Sequence, residues 1–153
     1  MIFILEGPDG SGKSTLARKL AAQTGYDVVH MSAPRTDQEK AEMFKMYEQA
    51  ILESYNVIFD RCWYSEMVYG PVMRGASCIS YEDMYRLEML LCNKGALIIH
   101  CTDRIDVLWD RCKRRGEDYV KNIDTFKAIY NGYERLMGYP HLIPIVKYDY
   151  KDL

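Results

Sequence analysis

The chain has 153 residues, 48% of them hydrophobic and 27% charged, with a formal net charge of −2. Such a length and balance fit one globular domain, here residues 1–153, with a substantial core. They exclude a broad basic surface for duplex nucleic acid or an anionic membrane, and no apolar run approaches the ~20 residues of a membrane span. The five cysteines are scattered, with no C-x-x-C pair, as expected of reduced thiols. With a strand expected from Ile2 onward there is no room for a signal peptide, so the expected location is cytoplasmic.

Taken in order, the chain opens on an apolar, partly β-branched strand that breaks at Gly7 into Gly7-Pro-Asp9-Gly10-Ser11-Gly12-Lys13-Ser14-Thr15. This is the spacing G-x-x-x-x-G-K-S of a phosphate-binding P-loop between a strand and a helix. Gly7, Gly10 and Gly12 let backbone N–H groups turn inward, and the helix beginning at Lys13 adds its positive dipole end. Lys13 is expected to reach the β- and γ-phosphates of ATP, Ser14 to hold Mg²⁺, and Thr15 to face the α-phosphate.

The first helix should run from Lys13 to Thr24 and stop at Gly25. A strand over Tyr26–Met31 follows, and the loop carrying Arg35 leaves it at the sheet edge where ligands bind, which makes Arg35 a candidate phosphate clamp or a solvated loop residue. Apolar spacing from Asp37 to Ser54 predicts one amphipathic helix, whose Phe44 or Tyr47 could offer a ring to a base or belong to the core. A third strand ends in Asp60, followed by Arg61. An acid and an arginine at a strand's carboxyl end rarely serve the core.

Ser80 starts another helix as its N-cap, and Ala96–Cys101 is a strand in which His100 reads as a satisfied sheet residue. Thr102-Asp103 is expected to cap the next helix. That helix ends in Arg111, Lys113, Arg114 and Arg115, cations that repel one another and invite an anion. A last helix and a strand over Leu142–Tyr148 complete the pattern. Strands alternating with helices predict an α/β fold of the P-loop NTPase kind, three-layer α/β/α around a five-stranded parallel sheet.

In combination these motifs resemble the thymidylate kinase family of nucleoside monophosphate kinases, in shortened form. The residues that carry the likeness are Leu5 to Thr15, Asp60-Arg61 with Ser65 and Tyr69, and Arg111-x-Lys113-x-Arg115-Gly116-Glu117. The resemblance implies that Asp9 contacts the acceptor's sugar and 5′-phosphate region, and that Asp60-Arg61 holds the acceptor phosphate and the metal's water shell. It further implies that Tyr69 crowds the 2′ position and that a lid over 111–122 supplies the catalytic cations Arg111 and Arg115. Gly10 stands where other members carry a P-loop arginine. Glu48 replaces the arginine that donates to the thymine carbonyl four residues after Phe44, Glu66 follows the serine, and Asp118-Tyr119 replaces a second lid arginine. Carboxylates suit an amino group better than a carbonyl.

The expected activity is ATP-dependent phosphorylation of a deoxynucleoside monophosphate. Lys13, Arg111 and Arg115 would neutralise the moving phosphoryl group, while Arg61, helped by Arg35 or Arg74, would place the acceptor phosphate. A kinase acting on a hydroxyl, with Asp60 as general base, is the alternative, and a nucleotide-binding regulatory module is a third reading. Homodimers are common in the family.

Overall fold

The computed structural model describes residues 1–116 and 120–149. Glu117, Asp118 and Tyr119, part of the expected lid, lie outside the described residues. Five parallel strands form one sheet in the order β2-β3-β1-β4-β5: β1 Ile2–Glu6, β2 Asp27–His30, β3 Val57–Asp60, β4 Ala96–Cys101 and β5 Ile145–Tyr148. The predicted α/β class and five-stranded parallel sheet are what is found. β1, β3 and β4 are near-continuous apolar runs because both of their faces are covered. The edge strands β2 and β5 are more exposed.

Residues of β1 alternate between the two cores. Ile2 and Ile4 face a large cluster built with α3 Met43–Glu53, α4 Trp63–Arg74, α5 Tyr81–Cys92 and α7 Ile123–Met137. Leu5 faces a smaller one with Leu16 and Ala17 of α1 Lys13–Thr24. Register places Leu5 opposite Asp60 and Glu6 opposite His100, so the functional ends of β1, β3 and β4 emerge side by side.

Several expectations need correction. Residues 37–54 form two helices, α2 Asp37–Ala41, opened by a capping box of Thr36 and Glu39, and α3, separated at Glu42, whose backbone (φ −97°, ψ 4°) leaves helical geometry. Ser80 caps α5 as predicted, its box completed by Asp83. Thr102-Asp103 does not cap α6 Ile105–Arg115: its N-cap is Arg104, and Asp103 accepts from the Arg104 N–H at 2.7 Å. His100 is buried, yet neither ring nitrogen has a hydrogen-bond partner among the described residues. Burial pushes its pKa down to about 4 despite Glu134 nearby.

Candidate active site

The P-loop takes the shape its glycines permit. Gly7 and Gly10 have φ of 155° and 79°, and a Cβ on Gly7 would meet the Cys101 carbonyl oxygen at 2.0 Å. Lys13 folds inward, buried, its ammonium donating to the Pro8 carbonyl at 3.1 Å and to Ser11 Oγ at 3.3 Å. Burial first, then the nearby Arg61 charge, lowers its pKa to about 8, with Asp9 opposing. A triphosphate would relieve both effects. Ser14 is exposed at the mouth of the loop and Thr15 half-exposed beside it.

Arg61 stands across from this loop. Its backbone is left-handed, with φ 71°, an uncommon conformation for a residue with a side chain. Nη1 donates to the Gly7 carbonyl (3.2 Å), Ser65 Oγ (3.1 Å) and the Tyr133 hydroxyl (3.0 Å). Nη2 donates to Asp9 Oδ1 at 2.6 Å and to the Tyr69 hydroxyl at 3.4 Å. Burial works against its charge, but Tyr133, Tyr69, Asp9 and Glu6 outweigh that and hold it cationic. Asp60 and Arg61 therefore do not pair with each other. Asp60 lies 3.3 Å from His30 Nδ1 through Oδ2, and its buried Oδ1 has no partner among the described residues.

Beneath Arg61 sits Glu6, which sequence reasoning passed over. Its buried carboxylate accepts from the N–H groups of Cys62 (2.7 Å) and Ser65 (3.2 Å), from Ser65 Oγ (2.6 Å) and from Tyr133 (3.2 Å). Cys62 gives α4 no side-chain cap, and Glu6 reaches from β1 to take the N–H of Cys62 and to share that of Ser65 with the Cys62 carbonyl. Burial raises its pKa against the opposing pull of Arg61 and Ser65. Its sequence signal was a lone acid ending an apolar strand. Tyr133 gave none, since it reads as one more member of the α7 core stripe.

A cavity of about 340 Å³ opens beside Arg61, lined by Asp9, His30–Ala33, Met43, Tyr47, Ser65, Glu66, Tyr69 and Arg74 among others. Tyr69 lies under the Arg61 guanidinium, 5.1 Å from ring centroid to Cζ. Two expected members lie outside the lining. Phe44 instead stacks against the Arg86 guanidinium at 4.7 Å, leaving Tyr47 and Met43 as the α3 wall. Arg35 is exposed beyond the loop segment that does line the cavity. Arg74 is present but engaged by the buried Glu66, donating to Oε2 at 2.6 Å.

The cationic end of α6 is less hungry for anions than its sequence suggests. Arg114 pairs with Asp110, the Lys113 ammonium lies 5.8 Å from the Trp109 ring, and the last turn's cations complement the helix dipole. Arg115 is exposed on that turn. Arg111 does reach the P-loop, donating to the Gly10 carbonyl at 3.3 Å and pairing with Asp103 at 3.3 Å. A Cβ on Gly10 would stand 2.7 Å from the Leu108 carbonyl oxygen, so α6 occupies the space a P-loop arginine would need.

The site's oxygen donors suit a hard divalent cation such as Mg²⁺. The Ser14 hydroxyl and the orphaned Asp60 Oδ1 are of the right type, and phosphates would complete the shell.

Residues 1–124 match the model of the polyphosphate kinase 2 (PPK2) family. The SPbeta prophage-derived uncharacterized protein YorR of Bacillus subtilis (strain 168) is 28% identical over 131 residues, covering 84% of this chain and 79% of YorR. A crystal structure of YorR in complex with phosphorylated GDP superposes with a TM-score of 0.84 at 25% identity, covering 97% of this chain and 85% of that one. Deoxyadenosine kinase from M. mycoides with bound dATP matches with a TM-score of 0.66 at 16% identity over 97% of this chain and 91% of its own, a likeness of fold alone. Among the described residues no helix is long and apolar enough to cross a membrane.

Proposed function

The chain belongs to the polyphosphate kinase 2 family, and from that premise we propose that it is a phosphotransferase moving the γ-phosphoryl group of ATP onto the phosphate of a deoxynucleoside monophosphate. The observation that carries this reading is the placement of Arg61. It is cationic and bound to Asp9 of the P-loop, and it forms the wall of a cavity large enough for a nucleoside monophosphate. A hydroxyl acceptor would have little use for a buried arginine at that point.

Gly7 to Thr15 would cradle the triphosphate, with Lys13 spanning its β- and γ-groups. Bound Mg²⁺, held through Ser14 and Asp60, would supply further neutralisation of phosphate charge. Arg61 would turn some of its N–H groups from Gly7 and Asp9 to the acceptor phosphate, bringing it into line with the donor. Tyr69, beside that phosphate position, would press on the sugar's 2′ carbon and favour deoxyribose. Arg111, already on the P-loop, would meet the charge that develops during transfer, with Arg115 closing from the end of α6. The acceptor phosphate is ionised at neutral pH and needs no base.

Coupled ADP release with each deoxynucleoside monophosphate tests the proposal, and lack of acceptor-dependent turnover across all of them rejects it. One observation favours a second reading. Asp60 Oδ1 is buried and without a partner among the described residues, and its other oxygen lies near His30, an arrangement able to take a proton from a nucleoside hydroxyl. Turnover with free deoxynucleosides but not their monophosphates selects that reading. Nucleotide binding with no turnover on any acceptor would select a regulatory module.

A further inference from the structure

Two rows of residues along α4 divide the cavity wall. Ser65 and Tyr69, spaced by four, meet Arg61, which precedes the helix, on the P-loop side through the contacts described above. The neighbouring row, Glu66, Gly70 and Arg74, has the same spacing and carries an ion pair into the cavity lining, buried at its Glu66 end and open to solvent at Arg74. Side chains four apart on a helix lie one above the other. At 1.5 Å per residue, Arg74 lies ~13 Å along α4 from Ser65, which accepts from Arg61. That span is comparable to the reach of a nucleotide from its phosphate to the far edge of its base.

The pair is built with care for its geometry. Both of its bonds come from Arg74 Nη2, which leaves Nη1 and Nε outside the pair. Glu66 Oε2 also accepts from the Cys78 N–H at 2.9 Å. A carboxylate oxygen can accept two hydrogen bonds; among the described residues Oε2 takes two, from Arg74 and the Cys78 N–H, and Oε1 takes one, from Arg74, with the Cys78 thiol beside the carboxylate. Gly70 keeps the pair in place: a Cβ there would meet Glu66 Oε2 at 2.5 Å. Met43 and Tyr47 supply the apolar wall opposite. A flat ring entering between them would meet one acceptor from Glu66 and donors from Arg74.

We propose that Glu66 and Arg74 read the base of the acceptor and select one with an exocyclic amino group: cytosine, adenine or guanine over thymine or uracil. The inference rests on the acceptor-cavity reading given under the proposed function. An amino group donates to Oε1 while a neighbouring ring or carbonyl acceptor meets Arg74. In thymine and uracil the one donor on the pairing edge, N3–H, is flanked on both sides by carbonyl oxygens. One of these would be driven against the carboxylate. An unmatched buried polar contact of this kind discriminates more strongly than a misfit of apolar volume.

The test is calorimetric binding of dCMP, dAMP, dGMP, dTMP and dUMP to the intact protein, which needs no turnover. The inference expects the best amino base to bind at least ~10-fold more tightly than either dTMP or dUMP, a difference of ~1.4 kcal/mol. Glu66→Gln should narrow that gap by strengthening dTMP and dUMP, because an amide can present N–H to a carbonyl. Thymidylate or uridylate binding as tightly as the best amino base, no binding of any of the five, or an equal loss across all five in the variant overturns it. If Glu66→Gln fails to fold, the ranking on the unmodified protein decides alone. Failure of the transferase proposal would show instead as binding without ADP release, which leaves this ranking readable.

Discussion

Arg61 reaches back from the end of β3 to bind Asp9 of the P-loop, Nη2 to Oδ1 at 2.6 Å, and does so from a left-handed backbone. Such a conformation costs of order 1–3 kcal/mol and persists where the surroundings over-determine it. Here Gly7, Ser65, Tyr69 and Tyr133 do so. Arg61→Ala should lower acceptor-dependent transfer by ~10²–10³-fold while changing ATP affinity far less. Arg61→Gly, free of the backbone strain, should be equally inactive. Initial rates against acceptor concentration, with ATP binding measured separately, check both.

Gly10→Ala should be costly for two separate reasons. The residue has φ 79°, and a Cβ would lie 2.7 Å from the Leu108 carbonyl oxygen and 3.0 Å from Cys112 Sγ. Moving α6 away would also part Arg111 from the loop. A loss of ~2–4 kcal/mol in urea unfolding, together with weaker ATP binding, is the expected outcome.

Glu6→Ala should destabilise the fold by ~3 kcal/mol or more, because it strands the buried Cys62 N–H at the start of α4, removes the acceptor of Ser65 Oγ and Tyr133, and leaves Arg61 less compensated. Tyr133→Phe, which removes one donor to Glu6 and one acceptor from Arg61, should cost ~1–2 kcal/mol. Chemical denaturation of both variants tests the ordering.

Lys13 carries a pH signature. Its folded pKa of about 8 lies below the 10.5 of an ordinary lysine, so the unfolded chain binds more protons between those values. Its contribution to stability accordingly rises as pH climbs from ~8 toward 10.5. Phosphates favour the ammonium, so ATP binding at pH ~8.5 should take up protons and weaken as pH rises further. Calorimetry in buffers of different ionisation enthalpy detects the uptake, and Lys13→Met should abolish it.

A second pair works in the opposite sense. His141 Nδ1 lies 2.9 Å from Glu88 Oε2 and Nε2 lies 2.8 Å from the Leu136 carbonyl, two acceptors that call for a doubly protonated ring. Burial opposes the charge, but the bonds to Glu88 and Leu136 outweigh it and raise the pKa above 6.5. The stabilisation is complete below pH ~6.5 and is lost as pH rises through the folded value. Thermal unfolding from pH 6 to 8.5 should show this decline in the unmodified protein and a shallower one in His141→Gln.

Much of the fold could be read from local pattern. The P-loop, α1 with its stop at Gly25, β4 and the Ser80 cap are each set by neighbours in sequence. The site was legible where a motif has fixed spacing, as with Gly7 to Thr15, and where an expensive residue stood at a strand end, as with Arg61. It was illegible where the partner comes from far along the chain. Glu6 meets Cys62 and Ser65, Tyr133 meets Arg61, and Glu66 folds back to Arg74 around a glycine. Phe44 and Tyr47 share one helix, and only tertiary packing decides which faces the cavity. The break at Glu42, a single residue leaving helical backbone geometry, has no mark within what reads as continuous helical periodicity.

The strand order has a consequence for how such a protein can diversify. Glu6, Asp60-Arg61 and the turn after β4 leave from the three central strands, whereas the segment 31–33 that lines the cavity leaves from the edge strand β2. Exchanging that peripheral segment would reshape one wall of the cavity without moving the P-loop or Arg61. Under the proposed function, one wall of the cavity can then change at the sheet's edge independently of α4, whose Glu66 and Arg74 follow directly from the strand that leads into Arg61.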